Sequence, residues 1–172
     1  THADEAVRPN FSILFYPVIS MDERITHKGS CVNFLGEERK TNAKLVEEWS
    51  NDKAVRPQVT PRVILLMSSD DKVVPPVTNG VAYYTAMNKA GNECTLHIYP
   101  SGGHGWGIRE GFLYKNEMLD EMTSWLRSFK VPHKDAIRVA CIGNSITYGA
   151  RIKNRDRDSY PAELSRMLGE AY

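Results

Sequence analysis

Two short stretches decide the fold: Ser68-Ser-Asp-Asp-Lys-Val-Val-Pro75 and Tyr99-Pro-Ser-Gly-Gly-His-Gly-Trp-Gly107. Each directly follows an apolar run and places an ionisable side chain there, a carboxylate in the first stretch and an imidazole in the second. An acid followed by a histidine, each at the carboxyl end of a strand in an α/β alternation, is how two members of a Ser-His-Asp triad are delivered. The sequence therefore predicts an acid–base pair at the edge of a sheet.

The segments around these stretches alternate between strand and helix patterns. Short apolar runs predict buried strands at Phe11–Ser20, Arg62–Met67 and Cys94–Tyr99. Apolar residues at helical spacing predict helices at Thr41–Trp49, Gly80–Ala90 and Leu113–Phe129. The last of these is the most periodic, and its apolar face comprises Met118, Met122, Trp125, Leu126 and Phe129. Residues Met21–Gly36 show no period and predict a loop. With right-handed crossovers, this order predicts an α/β fold with a parallel sheet and flanking helices.

The pattern breaks at residues 130–136, where charge and Pro132 predict a linker. We expect a first domain over residues 1–129 and a second domain that begins at residue 137 and continues to residue 172. The second begins with a strand, Ile137–Ile142, that leads into Gly143-Asn-Ser-Ile-Thr147, and a helix follows at about Tyr160–Leu168. One strand-turn-helix unit is too short to close a core of its own.

Composition excludes several classes of partner. The 172 residues are 41% hydrophobic and 25% charged, and the formal net charge of +1 comes without a basic run, so nothing favours nucleic acid or a membrane surface. No apolar segment approaches the roughly 20 residues that span a bilayer. Cys31, Cys94 and Cys141 are too scattered for a disulfide framework or a metal site, and we expect buried or half-buried thiols.

The candidate catalytic residues each have a plainer interpretation. Asp70 and Asp71 are adjacent, so their side chains point in different directions, and either could begin a turn and cap the next helix. His104 is flanked by glycines that allow sharp turns and leave the ring uncrowded, although a structural histidine on such a loop is the alternative. We expect the other histidines to be surface or packing residues; they are His2, His27, His97 and His133.

Residues 8 to 129 resemble the second half of an α/β-hydrolase. The similar motifs are Ser-Asp-Asp-Lys-Val-Val-Pro-Pro and Leu-His-Ile-Tyr-Pro-Ser-Gly-Gly-His-Gly-Trp-Gly. They resemble most closely the acetyl-xylan and feruloyl esterase-like, dienelactone-hydrolase-related enzymes, which share this ending with prolyl-oligopeptidase-type peptidases. The resemblance implies that Asp71 is the acid and His104 the base. The family's Gly-x-Ser-x-Gly motif is not present in this sequence, and because residues 1–3 resemble the end of the helix after that motif, we expect the nucleophile upstream of Thr1.

A second resemblance covers about residues 136 to 172. Val139-Ala-Cys-Ile-Gly-Asn-Ser-Ile-Thr-Tyr-Gly149 is similar to the first block of SGNH (GDSL-like) hydrolases, whose fold is flavodoxin-like. This implies that Ser145 is a nucleophile at a strand-to-helix turn, where its own amide would help to bind an oxyanion. Gly-Asn-Ser replaces the usual Gly-Asp-Ser, and the plainer interpretation is a simple turn. We do not expect Ser145 to join Asp71 and His104, because it follows a linker and opens a new sheet.

Together the two resemblances imply a fragment of a tandem serine esterase that hydrolyses O-acyl esters, mainly acetyl esters, on plant polysaccharides. The chain alone is expected to be inactive because neither triad is complete. The implied chemistry needs no metal and no organic cofactor, and its substrate is an acylated carbohydrate or another small ester. A periplasmic or secreted location is favoured only through that substrate class. The alternatives are a peptidase of the prolyl-oligopeptidase type and a non-catalytic module that binds a glycan or a partner.

Overall fold

The computed structural model describes residues 9–129 and, beyond them, residues 154, 156, 159, 161, 162, 165 and 166. Two compact units divide the chain, one of residues 13–104 and another to which residues 9–12 and 105–129 belong. Positions 161, 162, 165 and 166 are helical, in agreement with part of the helix predicted there. The predicted strand Ile137–Ile142 and Ser145 lie outside the described residues.

The sheet has three described strands in the order β1-β2-β3: β1 is Phe11–Phe15, β2 is Arg62–Ser68 and β3 is Cys94–Tyr99. Strands β2 and β3 are parallel, with Val63 opposite Cys94 and Ser68 opposite Tyr99. Six of the seven residues of β2 are buried, as expected for a strand with a neighbour on each side. Because parallel strands in this register end together, the residues after Ser68 and after Tyr99 meet at one edge of the sheet.

Four helices accompany these strands in the described chain: α1 is Lys28–Leu35, α2 is Ala43–Glu48, α3 is Ala82–Lys89 and α4 is Lys115–Arg127. A 3₁₀ turn at Gly36–Lys40 follows α1, and a single π-helical turn at Val77–Val81 precedes α3. Helices α2, α3 and α4 confirm the helices predicted in these regions.

The loop predicted over Met21–Gly36 is wrong in its second half, where α1 forms. Only Cys31 of α1 is buried, so the helix has no apolar stripe that a periodic pattern could reveal. Its start is capped by His27, whose Nδ1 accepts a hydrogen bond from the Ser30 backbone N–H at 3.3 Å. Histidine is not among the usual N-cap residues, so the start signal was also missing.

The core of the unit of residues 13–104 lies between β2 and α3. Its buried members are Ile19, Val63, Leu65, Tyr83 and Met87. Gly80, just before α3, sits so close to the sheet that a Cβ atom there would lie 2.1 Å from the Met67 Sδ. The missing side chain of Gly80 therefore lets the start of α3 approach β2.

Helix α4 buries the face that its spacing predicted, with Met118, Met122 and Leu126 nearly inaccessible to solvent. Three aromatic rings of the same unit, those of Phe11, Trp125 and Phe129, pack on one another with centroid distances of 4.6 to 5.7 Å. Among the residues that the structure describes, none of the helices combines the length and apolar character that crossing a bilayer requires.

Candidate active site

The acid side of the site is built into the loop that follows β2. The side chain of Asp71 is fully buried, and its Oδ1 accepts hydrogen bonds from the backbone N–H groups of Val73 at 2.8 Å and Val74 at 2.9 Å. The turn-forming role considered for an aspartate here is therefore real, but it uses only one carboxylate oxygen. The other oxygen, Oδ2, is left for a different partner.

That partner is His104, in the loop after β3. The Asp71 Oδ2 lies 2.8 Å from the His104 Nδ1. An ionised carboxylate only accepts hydrogen bonds, so Nδ1 must carry the proton and donate it, which leaves Nε2 as the ring's acceptor. The His104 side chain is 31% exposed, in contrast to its buried partner. A buried acceptor thus orients a ring that solvent or a substrate reaches.

Asp70 differs from its neighbour Asp71 in environment, because it is exposed. Its Oδ1 accepts a hydrogen bond from the Gly103 backbone N–H at 2.8 Å. This bond lowers the pKa of Asp70 below the ordinary value of 3.8, with the nearby Lys72 ammonium adding a smaller effect in the same direction. The two aspartates therefore contact different parts of the loop after β3: Asp71 contacts the ring of His104, and Asp70 contacts the backbone of Gly103.

Tyr16, immediately after β1, is a member of this site that the sequence did not indicate. It is buried, and its ring packs edge-to-face on His104 with a centroid distance of 4.6 Å and an interplanar angle of 60°. Its φ of 34° is in the left-handed region, which costs a non-glycine residue about 1–3 kcal/mol. The strand predicted to run on to Ser20 ends at Phe15 because the backbone turns here.

Asn79 is a second residue that sequence reasoning missed. It is completely buried in the π-helical turn, where its Oδ1 accepts from the Ile19 N–H at 3.0 Å and its Nδ2 donates to the Pro75 carbonyl at 3.0 Å. One amide side chain thus joins the segment after β1 to the loop after β2. A contact between residues 60 positions apart leaves no periodic trace in the sequence.

The remaining candidates lie elsewhere. His97 stacks on Tyr99 with a ring centroid distance of 6.4 Å and is half-buried in β3, in agreement with the expectation of a surface or packing residue. Cys31 is buried and Cys94 is half-buried, as expected, and burial raises the pKa of the Cys94 thiol to about 11. His2, His133, Cys141 and the predicted nucleophile Ser145 lie outside the described residues.

Metal ligands and one cavity were compared with the Asp71–His104 pair among the described residues. No group of three or more His, Cys, Asp or Glu side chains that could hold a metal ion occurs among the described residues. A cavity of about 560 Å³ lies between the segment at residues 20–25 and α2, and neither Asp71 nor His104 lines it. Its charges pair with one another; the hydrogen bond from Arg24, for example, lowers the pKa of Asp22 to about 2.

A parallel sheet with a buried acid after one strand and a histidine after the next is a partial α/β-hydrolase-like fold. The pattern of the prolyl oligopeptidase family matches residues 15–130, and the chain belongs to this family. The resemblance of this part of the chain to α/β-hydrolases is thereby confirmed, and its assignment to the second half of such a domain stays a prediction. The SGNH resemblance of the later residues stays a prediction.

Three known proteins are similar to this chain. The acetylxylan esterase of Xylanibacter ruminicola is 55% identical over 166 residues, which cover 96% of this chain and 35% of that protein. The acetyl ester-xyloside bifunctional hydrolase of Caldicellulosiruptor lactoaceticus has 35% identity and a TM-score of 0.64, over 70% of this chain and 43% of that one. Esterase 2 of Thermogutta terrifontis, phosphorylated by paraoxon, has 28% identity and a TM-score of 0.51, and the match covers 72% of this chain and 42% of that one. The chain thus spans about a third of the length of the acetylxylan esterase.

Proposed function

We propose that this chain is part of a serine ester hydrolase that removes acyl groups, acetyl above all, from plant polysaccharides. The observation that carries the proposal is the 2.8 Å contact between the buried Asp71 carboxylate and the His104 Nδ1. A carboxylate that fixes the tautomer of a histidine, with the opposite ring nitrogen open, is the acid–base half of a Ser-His-Asp triad.

The proposed chemistry assigns one role to each residue. Asp71 accepts the Nδ1–H of His104 and keeps Nε2 free as a base. His104 takes the proton of a serine hydroxyl as its oxygen attacks the ester carbonyl, and Asp71 stabilises the imidazolium that forms. His104 then returns this proton to the leaving alcohol, and a second cycle with water releases the carboxylic acid. The scheme uses protein groups alone and calls for no metal or organic cofactor.

The relatives favour an ester over a peptide as the substrate. The family takes its name from a peptidase, so peptide hydrolysis is the rival reaction. However, the relative at 55% identity is an acetylxylan esterase, and the similar solved structures are an acetyl ester-xyloside hydrolase and an esterase. Acetylated xylan is therefore the first substrate to test.

We further propose a tandem arrangement, with the boundaries predicted from the sequence. The serine of the first site would precede Thr1, and Ser145 would be the nucleophile of a separate SGNH-type site. The alignment with the acetylxylan esterase leaves only 172 − 166 = 6 residues of this chain unaligned, so it includes most of residues 137–172. A similar segment therefore follows the α/β-hydrolase part in that esterase, which supports the arrangement.

The test uses the full-length protein that contains this chain, assayed on 4-nitrophenyl acetate and on acetylated xylan. Ser145→Ala and His104→Ala are made separately and together, because two sites could each hydrolyse the small ester. In the Ser145→Ala background, we expect His104→Ala to lower kcat about 10³-fold or more. The matched control is His97→Ala, which removes a histidine on β3 from the same fold.

The outcomes separate the proposals. Equal activity of the His104→Ala, Ser145→Ala and unmodified proteins would show that neither site is a serine esterase. Loss of activity with His104→Ala alone would support the first site and contradict the role of Ser145 as a nucleophile. Cleavage of prolyl peptides in place of acetyl esters would favour the peptidase. A protein that binds acetylated xylan without turnover would be the non-catalytic module.

A further inference from the structure

We infer that Tyr16 is a positioning residue for the base, a role that rests on the proposed function of the Asp71–His104 pair. Its aromatic ring, packed on the His104 imidazole, fixes the tilt of the ring and therefore the place of Nε2. The residue comes from the end of β1, far in sequence from both members of the pair, and no motif indicates it.

The hydrogen bond to Asp71 alone leaves the imidazole under-determined. That bond holds Nδ1, whereas the proton is transferred at Nε2 on the opposite side of the ring. Small coupled changes of the two side-chain torsions of His104 swing Nε2 while the bond at Nδ1 survives. The neighbours of His104 are Gly103 and Gly105, which have no side chains to limit this motion, and the side chain is 31% exposed.

The Tyr16 ring supplies the missing constraint. Its centroid lies 4.6 Å from that of His104, within the range in which aromatic rings pack directly. An edge-to-face contact limits tilting of the imidazole, because rotation either separates the rings or drives them into each other. The hydrogen bond to Asp71 and the packing on Tyr16 together define the ring's position.

Tyr16 is itself held firmly enough to act in this way. Its backbone N–H donates to the Leu66 carbonyl of β2 at 2.8 Å, so it is attached to the middle of the sheet. Its side chain is only 5% exposed. Its positive φ is maintained although it is unfavourable for tyrosine. That conformation directs the ring to His104, where a continued strand would direct it elsewhere.

The experiment combines kinetics with NMR on the full-length protein that contains this chain. Tyr16→Leu removes the ring, Tyr16→Phe keeps it, and Tyr83→Leu removes a buried tyrosine of the core as the matched control. The ring protons of His104 feel the ring current of Tyr16, so their chemical shifts report the contact directly. Kinetics are measured with an acetyl ester in the Ser145→Ala background.

We expect Tyr16→Leu to move the His104 ring-proton shifts and to lower kcat about 10- to 100-fold, as a misplaced catalytic group does. KM stays nearly unchanged, because the base contributes to the reaction step and little to binding. Tyr16→Phe restores both the shifts and kcat. Tyr83→Leu lowers stability but leaves kcat per folded molecule as it was. If Tyr16→Leu does not fold, Tyr16→Met tests the same loss of the ring.

A Tyr16→Leu protein with full kcat, or with unmoved His104 shifts, would overturn the inference. So would a Tyr16→Phe protein as slow as Tyr16→Leu, since the ring would then not be the active feature. The proposed function fails differently, through an unmodified protein that hydrolyses no acetyl ester. In that case the chemical shifts alone decide whether Tyr16 holds His104.

Discussion

The loops after β2 and after β3 each carry one member of the Asp71–His104 pair, but they are held in different ways. The loop after β2 is stabilised from within: Asp71 accepts from Val73 and Val74, and Asn79 donates to the Pro75 carbonyl. The loop after β3 is held from outside. Gly103 and His104 each donate a hydrogen bond to an aspartate of the other loop.

The difference shows how the Asp71–His104 pair is assembled from one loop with its own hydrogen bonds and another loop that is placed by its contacts. The acid is a fixed reference, because its carboxylate is buried and most of its bonds are local. The base sits on a glycine-rich segment whose Gly103 has a φ of 60°, a conformation that favours glycine. Such a segment has little preference of its own, so its contacts with Asp70, Asp71 and Tyr16 place it. Disturbing the first loop should cost stability, and disturbing the second should cost activity.

Asp71 lies in the loop after β2 and contacts the loop after β3, and its substitution should have the largest effect. In Asp71→Asn, the amide oxygen still accepts from Val73 and Val74, so the turn survives. The amide nitrogen then faces the His104 Nδ1 as a donor, which favours the wrong tautomer. We expect kcat on acetyl esters to fall about 10⁴-fold with little loss of stability. Steady-state kinetics of the full-length protein in the Ser145→Ala background and urea denaturation check this, and a drop in kcat below 10-fold would contradict it.

Substitution of Asn79, in contrast to that of Asp71, should lower stability through the loop after β2. Asn79→Ala leaves the buried Ile19 N–H without its partner and removes one of the two hydrogen bonds to the Pro75 carbonyl, so we expect a loss of about 1–3 kcal/mol in the free energy of unfolding. The matched control, Asn88→Ala, alters an exposed asparagine of α3 and should change it by less than about 0.5 kcal/mol. Equal urea midpoints for the two variants would show that the loop after β2 is not anchored through Asn79.

The Asp71–His104 contact could be predicted from the sequence because its signals are local. An apolar run predicted β3 with its exact bounds, and the polar residues directly after β2 and β3 fell where the parallel register brings strand ends together. The motif around Asp71 then selected it over Asp70, and the structure gives the two residues the different environments that adjacency implied.

The residues that hold the Asp71–His104 pair in place could not be predicted from the sequence, for physical reasons that differ from residue to residue. Tyr16 lies within a continuous apolar run, so periodicity extended the strand past the point where its backbone turns. Asn79 and Asp70 act through contacts with Ile19 and Gly103, which are distant in sequence and leave no pattern. Helix α1 buries only Cys31 and begins with a histidine cap, so neither the stripe nor the start signal of a helix was present.

Asp70 gives the smallest effect and the most selective test of the loop after β3. The hydrogen bond from the Gly103 N–H lowers the pKa of Asp70. The full contribution of this bond to the stability of the folded loop is therefore present at pH values above the ordinary pKa of 3.8. The contribution is lost as the pH falls through the lower folded value, when the carboxylate is protonated. Near neutral pH this hydrogen bond is therefore intact. In acid, the backbone of Gly103, the residue that precedes His104, should be released from Asp70.

The Gly103 amide reports this directly, because its proton resonance moves upfield when the hydrogen bond to a carboxylate weakens. We expect the resonance to titrate with a midpoint below 3.8 in the unmodified protein and to stay constant in Asp70→Asn, whose amide oxygen accepts at every pH. An unchanged titration in Asp70→Asn would show that the carboxylate of Asp70 does not hold the Gly103 amide. The two loops would then be joined through one aspartate, and the glycine segment would depend on His104 itself for its position.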